Sequence, residues 1–148
     1  MIDDARGLLA RSTHGTLSTL DPDTGHPYAS LVAIAPTPAG EVVLLLSTLA
    51  VHTTNLTADP RSSILVRAEP RPDETPLQAP RLSLVGQTRR LDEPGPAREL
   101  FLEAHPDAAA YVDFADFSFF VMRPERLRFV AGFGRMGWFD GPDWLTPA

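Results

Sequence analysis

The sequence predicts a mainly β fold with peripheral helices, in which antiparallel strands close into a barrel or a strongly curved sheet. Three observations carry that reading. The turn Asp21-Pro22-Asp23-Thr24-Gly25 joins two runs rich in β-formers, as a hairpin does. The turn Pro36-Thr37-Pro38-Ala39-Gly40 then leads into a continuously apolar run at 41–47. A helical pattern after Ser47 and a further β-run at 61–68 form a crossover, an order unlike the regular alternation of a doubly wound sheet.

Taken in order, residues 2–12 place Ile2, Ala5, Leu8 and Leu9 at helical spacing, with Asp3 and Asp4 where the helix dipole favours anions. His14-Gly15 stops that helix, and 15–20 and 28–35 follow as the hairpin strands. The run 41–47 lacks polar alternation, so burial on both faces is expected. The stretch 42–61 reads as strand, turn and helix, with Ser47-Thr48 as the cap and Asp59-Pro60 as the stop. Residues 69–80, rich in proline and polar side chains, read as an extended loop.

In 81–91 the alternation puts Leu82 and Leu84 on one face and Arg81, Ser83 and Val85 on the other. Gly86 there marks a bulge or a close backbone approach. A helix is expected at 94–104, with Leu100, Phe101 and Ala104 on one face, and a shorter one at 106–112. Two strands follow, 117–122 and 126–131, joined at Arg123-Pro124-Glu125. The tail at 132–144 mixes Phe133, Trp138, Phe139 and Trp144 with four glycines and is unlike a conventional core element.

A chain of 148 residues, 43% hydrophobic and 22% charged, is expected to be a single domain over residues 1–148. The net charge of -6 and a pI near 5.1 disfavour non-specific nucleic-acid binding, although a local patch of its arginines remains open. Without cysteine there is no disulfide, thiolate nucleophile or cysteine zinc site. His14, His26, His52 and His105 stand far apart in sequence, so the usual paired-histidine zinc motifs are missing too. The N-terminal residues read as neither a signal peptide nor a membrane span, and the expected location is the cytoplasm, away from membranes.

The chemistry-bearing residues leave alternatives open. Helix amides after Ser47, together with Ser47, His52, Thr53 and Thr54, suit an anion such as phosphate, or form an ordinary capped helix. His52 meets that phosphate or satisfies a local carbonyl; His14 and His105 read as loop or cap residues, and His26 as a solvated turn residue. Arg81, on the face of Ser83, pairs with a carboxylate, phosphate or carbonyl, or forms a structural ion pair. Arg135 and Trp138 frame a planar ligand, or seal a subunit interface. Gly132-Phe133-Gly134 is not followed by the helix and third glycine of a dinucleotide fingerprint, and no nucleophile elbow is present.

The ordered set GTLST, PYASLVAIAP, LLLSTLAVHTTNLTADPRSSILV, RLSLVG, FLEAHPDAAAYVDFADF and LRFVAGFGRMGWF resembles the pyridoxamine 5′-phosphate oxidase-like split-barrel flavoproteins across almost the whole chain. Within them it is most similar to the branch of haem-utilisation proteins, through S-x-L-A-x-H-T-x-N-L, D-P-R and a late G-F-G. The resemblance implies an antiparallel split β-barrel, a homodimer, and an FMN cofactor at the subunit interface. Ser47, His52 and Thr53 would then hold the FMN phosphate, Ser30, Leu31 and Val32 would pass the flavin, and Arg81 would reach it. Arg135 and Trp138 would complete the partner's site.

The R-x-H-type substrate signature of the true oxidases is replaced by Gly134-Arg135-Met136-Gly137-Trp138, so vitamin oxidation is not implied. No histidine follows His105, so a ligating tail histidine of the haem-degrading members is not expected either. The function implied is an FMN-dependent oxidoreductase acting on an unidentified small molecule. The alternatives are a haem-binding or haem-degrading split barrel, and a flavin-binding module without turnover.

Overall fold

The computed structural model describes residues 1–132 and 134–145; Phe133 of the Gly-Phe-Gly run lies outside the described residues. Helix α1 (Ile2–Ala10) is followed by strands β1 (His14–Leu20), β2 (Pro27–Ala33), the two-residue β3 (Ala35–Pro36) and β4 (Val42–Ser47). Helix α2 (Val51–Ala58) crosses to β5 (Arg61–Arg67), and a loop leads to β6 (Arg81–Arg90). Helix α3 (Pro96–Ala104), a 3₁₀ turn (Pro106–Ala110), β7 (Phe117–Gly132), β8 (Arg135–Asp140) and the one-turn α4 (Gly141–Trp144) complete the chain.

All the pairings are antiparallel, in the order β2-β1-β5-β6-β7-β4-β3, with β8 also pairing β7. Val32 of β2 and Val42 and Leu44 of β4 come from opposite sides of that order, yet all three pack in one core with Leu17, Ile64, Leu84 and Leu127. The sheet therefore curls around a shared interior, as the sequence predicts. Burial of β4 on both faces has a direct cause. Val42, Leu44 and Leu46 point into that interior, while Val43 and Leu45 pack in a second cluster with Ala97, Phe101 and Phe119 under α3. Among the described residues no helix is long and apolar enough to cross a membrane.

Three expectations are corrected. The first helix ends at Ala10, and His14 opens β1 instead of closing the helix. Residues 117–131 belong to a single strand of 16 residues that runs straight through Arg123-Pro124-Glu125. Pro124 stands opposite Gly86, where the register shifts, and a Cβ on Gly86 would collide with the Arg123 carbonyl. The bulge is how the ladder tolerates a residue with no amide hydrogen.

The end of the tail is the third correction, because Trp144 is part of the core. Trp144 is 1% exposed, packs in the main cluster, and its Nε1 donates to the Gly40 carbonyl at 2.8 Å. Gly40 has φ of +97°, and a Cβ there would lie 2.6 Å from that nitrogen. The glycine density that makes the tail look loose in sequence serves close approach: Gly141 sits against the backbone of Pro124 and Glu125.

Candidate functional site

Strand alternation divides the sequence-predicted site residues between two sides of the sheet. On the inner side of β2, Ser30 Oγ and His52 Nδ1 are 3.1 Å apart, so the first turn of α2 docks on the hairpin through this pair. Asn55 adds a second tie, its Nδ2 donating to Thr19 Oγ1 at 3.1 Å. Thr53 is 5% exposed and its hydroxyl has no partner among the described residues. Val32, also on this side, belongs to the core. Burial pushes the His52 imidazole below its ordinary pKa, which favours its neutral form.

The cap expected of Ser47-Thr48 does not form. The residue preceding α2 is Ala50, with no side-chain bond to the helix amides. Ser47 Oγ instead donates to Asp116 Oδ2 at 2.8 Å and accepts from the Leu49 amide at 3.1 Å. The Thr48 amide donates to the Asp116 carbonyl at 2.8 Å. A carboxylate therefore occupies the hydrogen-bonding reach of Ser47.

Leu31, Arg81 and Trp138 lie on the other, outward side. Successive registers align Leu31, Thr16, Leu65, Ser83, Arg128 and Trp138 in a row across β2, β1, β5, β6, β7 and β8. Arg67 and Arg81 are paired in the adjoining row. Leu31 is 78% exposed and Trp138 51%, and the guanidiniums of Arg126 and Arg128 lie 4.2 and 5.4 Å from the Trp138 ring centroid. Arg81 donates to the Leu77 carbonyl at 2.7 Å. Arg135 is tied to α1 through Asp4 at 3.1 Å.

This outward face deepens into an open cleft of about 780 Å³ where α1 ends against β1, β2 and β5. Its apolar wall is Leu8, Leu31 and Leu65; Arg11, Arg67 and His14 supply nitrogen-bearing side chains, and Glu69 lies at the same end. The Arg67–Glu69 pair is long, 3.7 Å, and exposed, so it holds Arg67 only weakly. Gly15 lets β1 approach β5 here, since a Cβ would sit 3.0 Å from Ile64 Cγ2. His14 and Arg11 were missed in the sequence because their meaning depends on this approach of α1 and β5. The one available signal is that His14 shares alternation with the outward Thr16 and Ser18.

The curled antiparallel sheet is that of the split-barrel proteins. A Clostridium acetobutylicum protein of the pyridoxinephosphate oxidase family, related to general stress protein 26, superposes with a TM-score of 0.72 at 12% identity, covering 96% of this chain and 95% of that one. That likeness is one of fold. The chain belongs to the CREG beta-barrel family, whose family model matches residues 2–146. It is 39% identical to a heme binding protein from Mycobacterium smegmatis, with a TM-score of 0.89 over 97% of this chain and 59% of that one. It is also 37% identical over 134 residues to the chloroplastic non-canonical heme oxygenase HOZ of Arabidopsis thaliana, covering 88% of this chain and 40% of the plant protein. The chain thus spans less than two thirds of the length of either relative.

These relatives overturn the expectation of FMN. The mycobacterial protein is named for binding haem and the plant protein for oxidising it. The resemblance to the haem-utilisation branch stands, and the flavin inherited from the wider superfamily does not.

Proposed function

We propose that this chain binds haem on its outward face, in the cleft between α1 and the β1–β2–β5 sheet. The observation that supports this most is the chemistry of the cleft. Haem is a flat apolar ring with two carboxylates and an iron that accepts a nitrogen donor. The cleft offers an apolar wall of Leu8, Leu31 and Leu65, two arginines and an exposed histidine, in a volume ordinary for a cofactor site. Arg11 and Arg67 would take the carboxylates, and the leucines would exclude water from one side of the ring. When bound, haem would supply iron redox and oxygen chemistry; the protein's part is to hold the ring and set its surroundings.

We take residues 1–148 as a single domain acting in a homodimer. The support for the dimer is the exposed apolar content farther along that face, Val85, Met136 and Trp138. A second reading, oxidative haem degradation, is favoured by the 37% identity to the plant heme oxygenase.

The test is titration of the purified protein with ferric haem, followed at the Soret band. Saturable binding near one haem per chain is expected. Leu31→Arg should weaken it at least tenfold without a folding cost, because Leu31 is exposed. No spectral change at micromolar haem would end the proposal. A loss of the Soret band after adding reductant and oxygen, retained under catalase, would support degradation over storage.

A further inference from the structure

Resting on the haem reading, we infer that His14 is the iron ligand and that Thr13 is the residue that positions it. The chain has four histidines, and the structure separates them. His105 is buried, with Nε2 2.8 Å from the Ile34 carbonyl. His52 is on the inner side of the hairpin, bonded through Nδ1 to Ser30. His26 lies in the exposed turn between β1 and β2. His14 lines the cleft, on the same side of the sheet as the leucine wall and both arginines.

The ring of His14 is also held. Its Nδ1 is 3.0 Å from Thr13 Oγ1, and its ring meets the His105 ring in a T-shaped contact with centroids 5.5 Å apart. When the Nδ1 hydrogen donates to the Thr13 hydroxyl, the lone pair sits on Nε2, the form that a metal requires. A hydroxyl that accepts from the other ring nitrogen in this way fixes the tautomer and raises ligand basicity. His105, anchored on the Ile34 carbonyl, restricts ring rotation from the other side.

The experiment compares ferric haem binding to wild type, His14→Ala, His52→Ala and Thr13→Val by absorbance and electron paramagnetic resonance, with circular dichroism confirming the fold of each. His14→Ala should lose the histidine-ligated signature and bind at least tenfold more weakly, and added imidazole should restore the signature. His52→Ala should keep it. Thr13→Val should retain ligation but weaken binding about tenfold and shift the reduction potential of the bound haem. A His14→Ala protein with the wild-type spectrum and affinity overturns the inference and leaves the haem reading intact. Transfer of the loss to His52→Ala overturns it as well. A wild type that binds no haem removes both.

Discussion

Trp144→Ala tests whether the C-terminal segment closes the fold. The indole is 1% exposed, donates through Nε1 to the Gly40 carbonyl at 2.8 Å, and lies under the Arg6 guanidinium at 5.7 Å. Arg6 in turn donates to the carbonyls of Asp143 and Trp144, so α1, the β3–β4 turn and α4 meet at one side chain. Truncating a buried tryptophan to alanine costs about 3–5 kcal/mol in transfer and cavity terms. That is at least a fifth of a typical stability of roughly 5–15 kcal/mol. Trp144→Phe keeps most of the packing and removes the donor; water reaches part of Gly40, so its cost should be nearer 1 kcal/mol. Guanidinium unfolding followed by circular dichroism measures both. Fluorescence gives an independent readout: with Trp144 gone, emission comes from the half-exposed Trp138 alone and should shift to the red. A Trp144→Ala protein that loses less than about 1 kcal/mol would show that the segment does not belong to the core.

Gly86→Ala should destabilise by about 1–3 kcal/mol or more, through the clash of its Cβ with the Arg123 carbonyl across the bulge, measurable as a fall in the urea midpoint. His52 has a depressed pKa in the folded protein, so between its ordinary 6.5 and that lower value the unfolded chain binds the extra proton. Stability should be fully present above 6.5 and fall as the pH drops through this window. His52→Gln should flatten that part of a pH series, and an unchanged slope would remove His52 as the cause. Trp138→Glu places a charge on the outward face and should turn the proposed homodimer into monomer at micromolar concentration in sedimentation experiments.

Much of the fold was legible because it rests on local signals. The Asp21–Gly25 turn, the apolar 41–47 run and the Gly86 bulge each name their structural consequence through side chains close in sequence. The misreadings involve partners far away. Nothing near Pro124 says that Gly86 will stand opposite it, and nothing near Trp144 says that Gly40 will accept its hydrogen bond. Ser47 is similar: a helix cap is the local expectation, but Asp116 arrives from 69 positions along the chain and takes the hydroxyl.

The same limit governs the site. Residues 30–32 are adjacent in sequence, and the strand sends Ser30 and Val32 to one side and Leu31 to the other. A ligand on one face of the sheet would meet Leu31 or the Ser30 and Val32 pair, and only one lying along the edge strand β2 would border all three. The useful unit is the row across strands, which joins Leu31 to Leu65 and brings Arg67 and Arg81 alongside. Net charge is equally uninformative about such a row. The chain carries -6 overall, yet its outward face gathers Arg67, Arg81, Arg126 and Arg128 around exposed leucine and tryptophan. That local excess of cation on an apolar surface suits the flat dianion proposed as its ligand, and it becomes visible only once the strand registers are known.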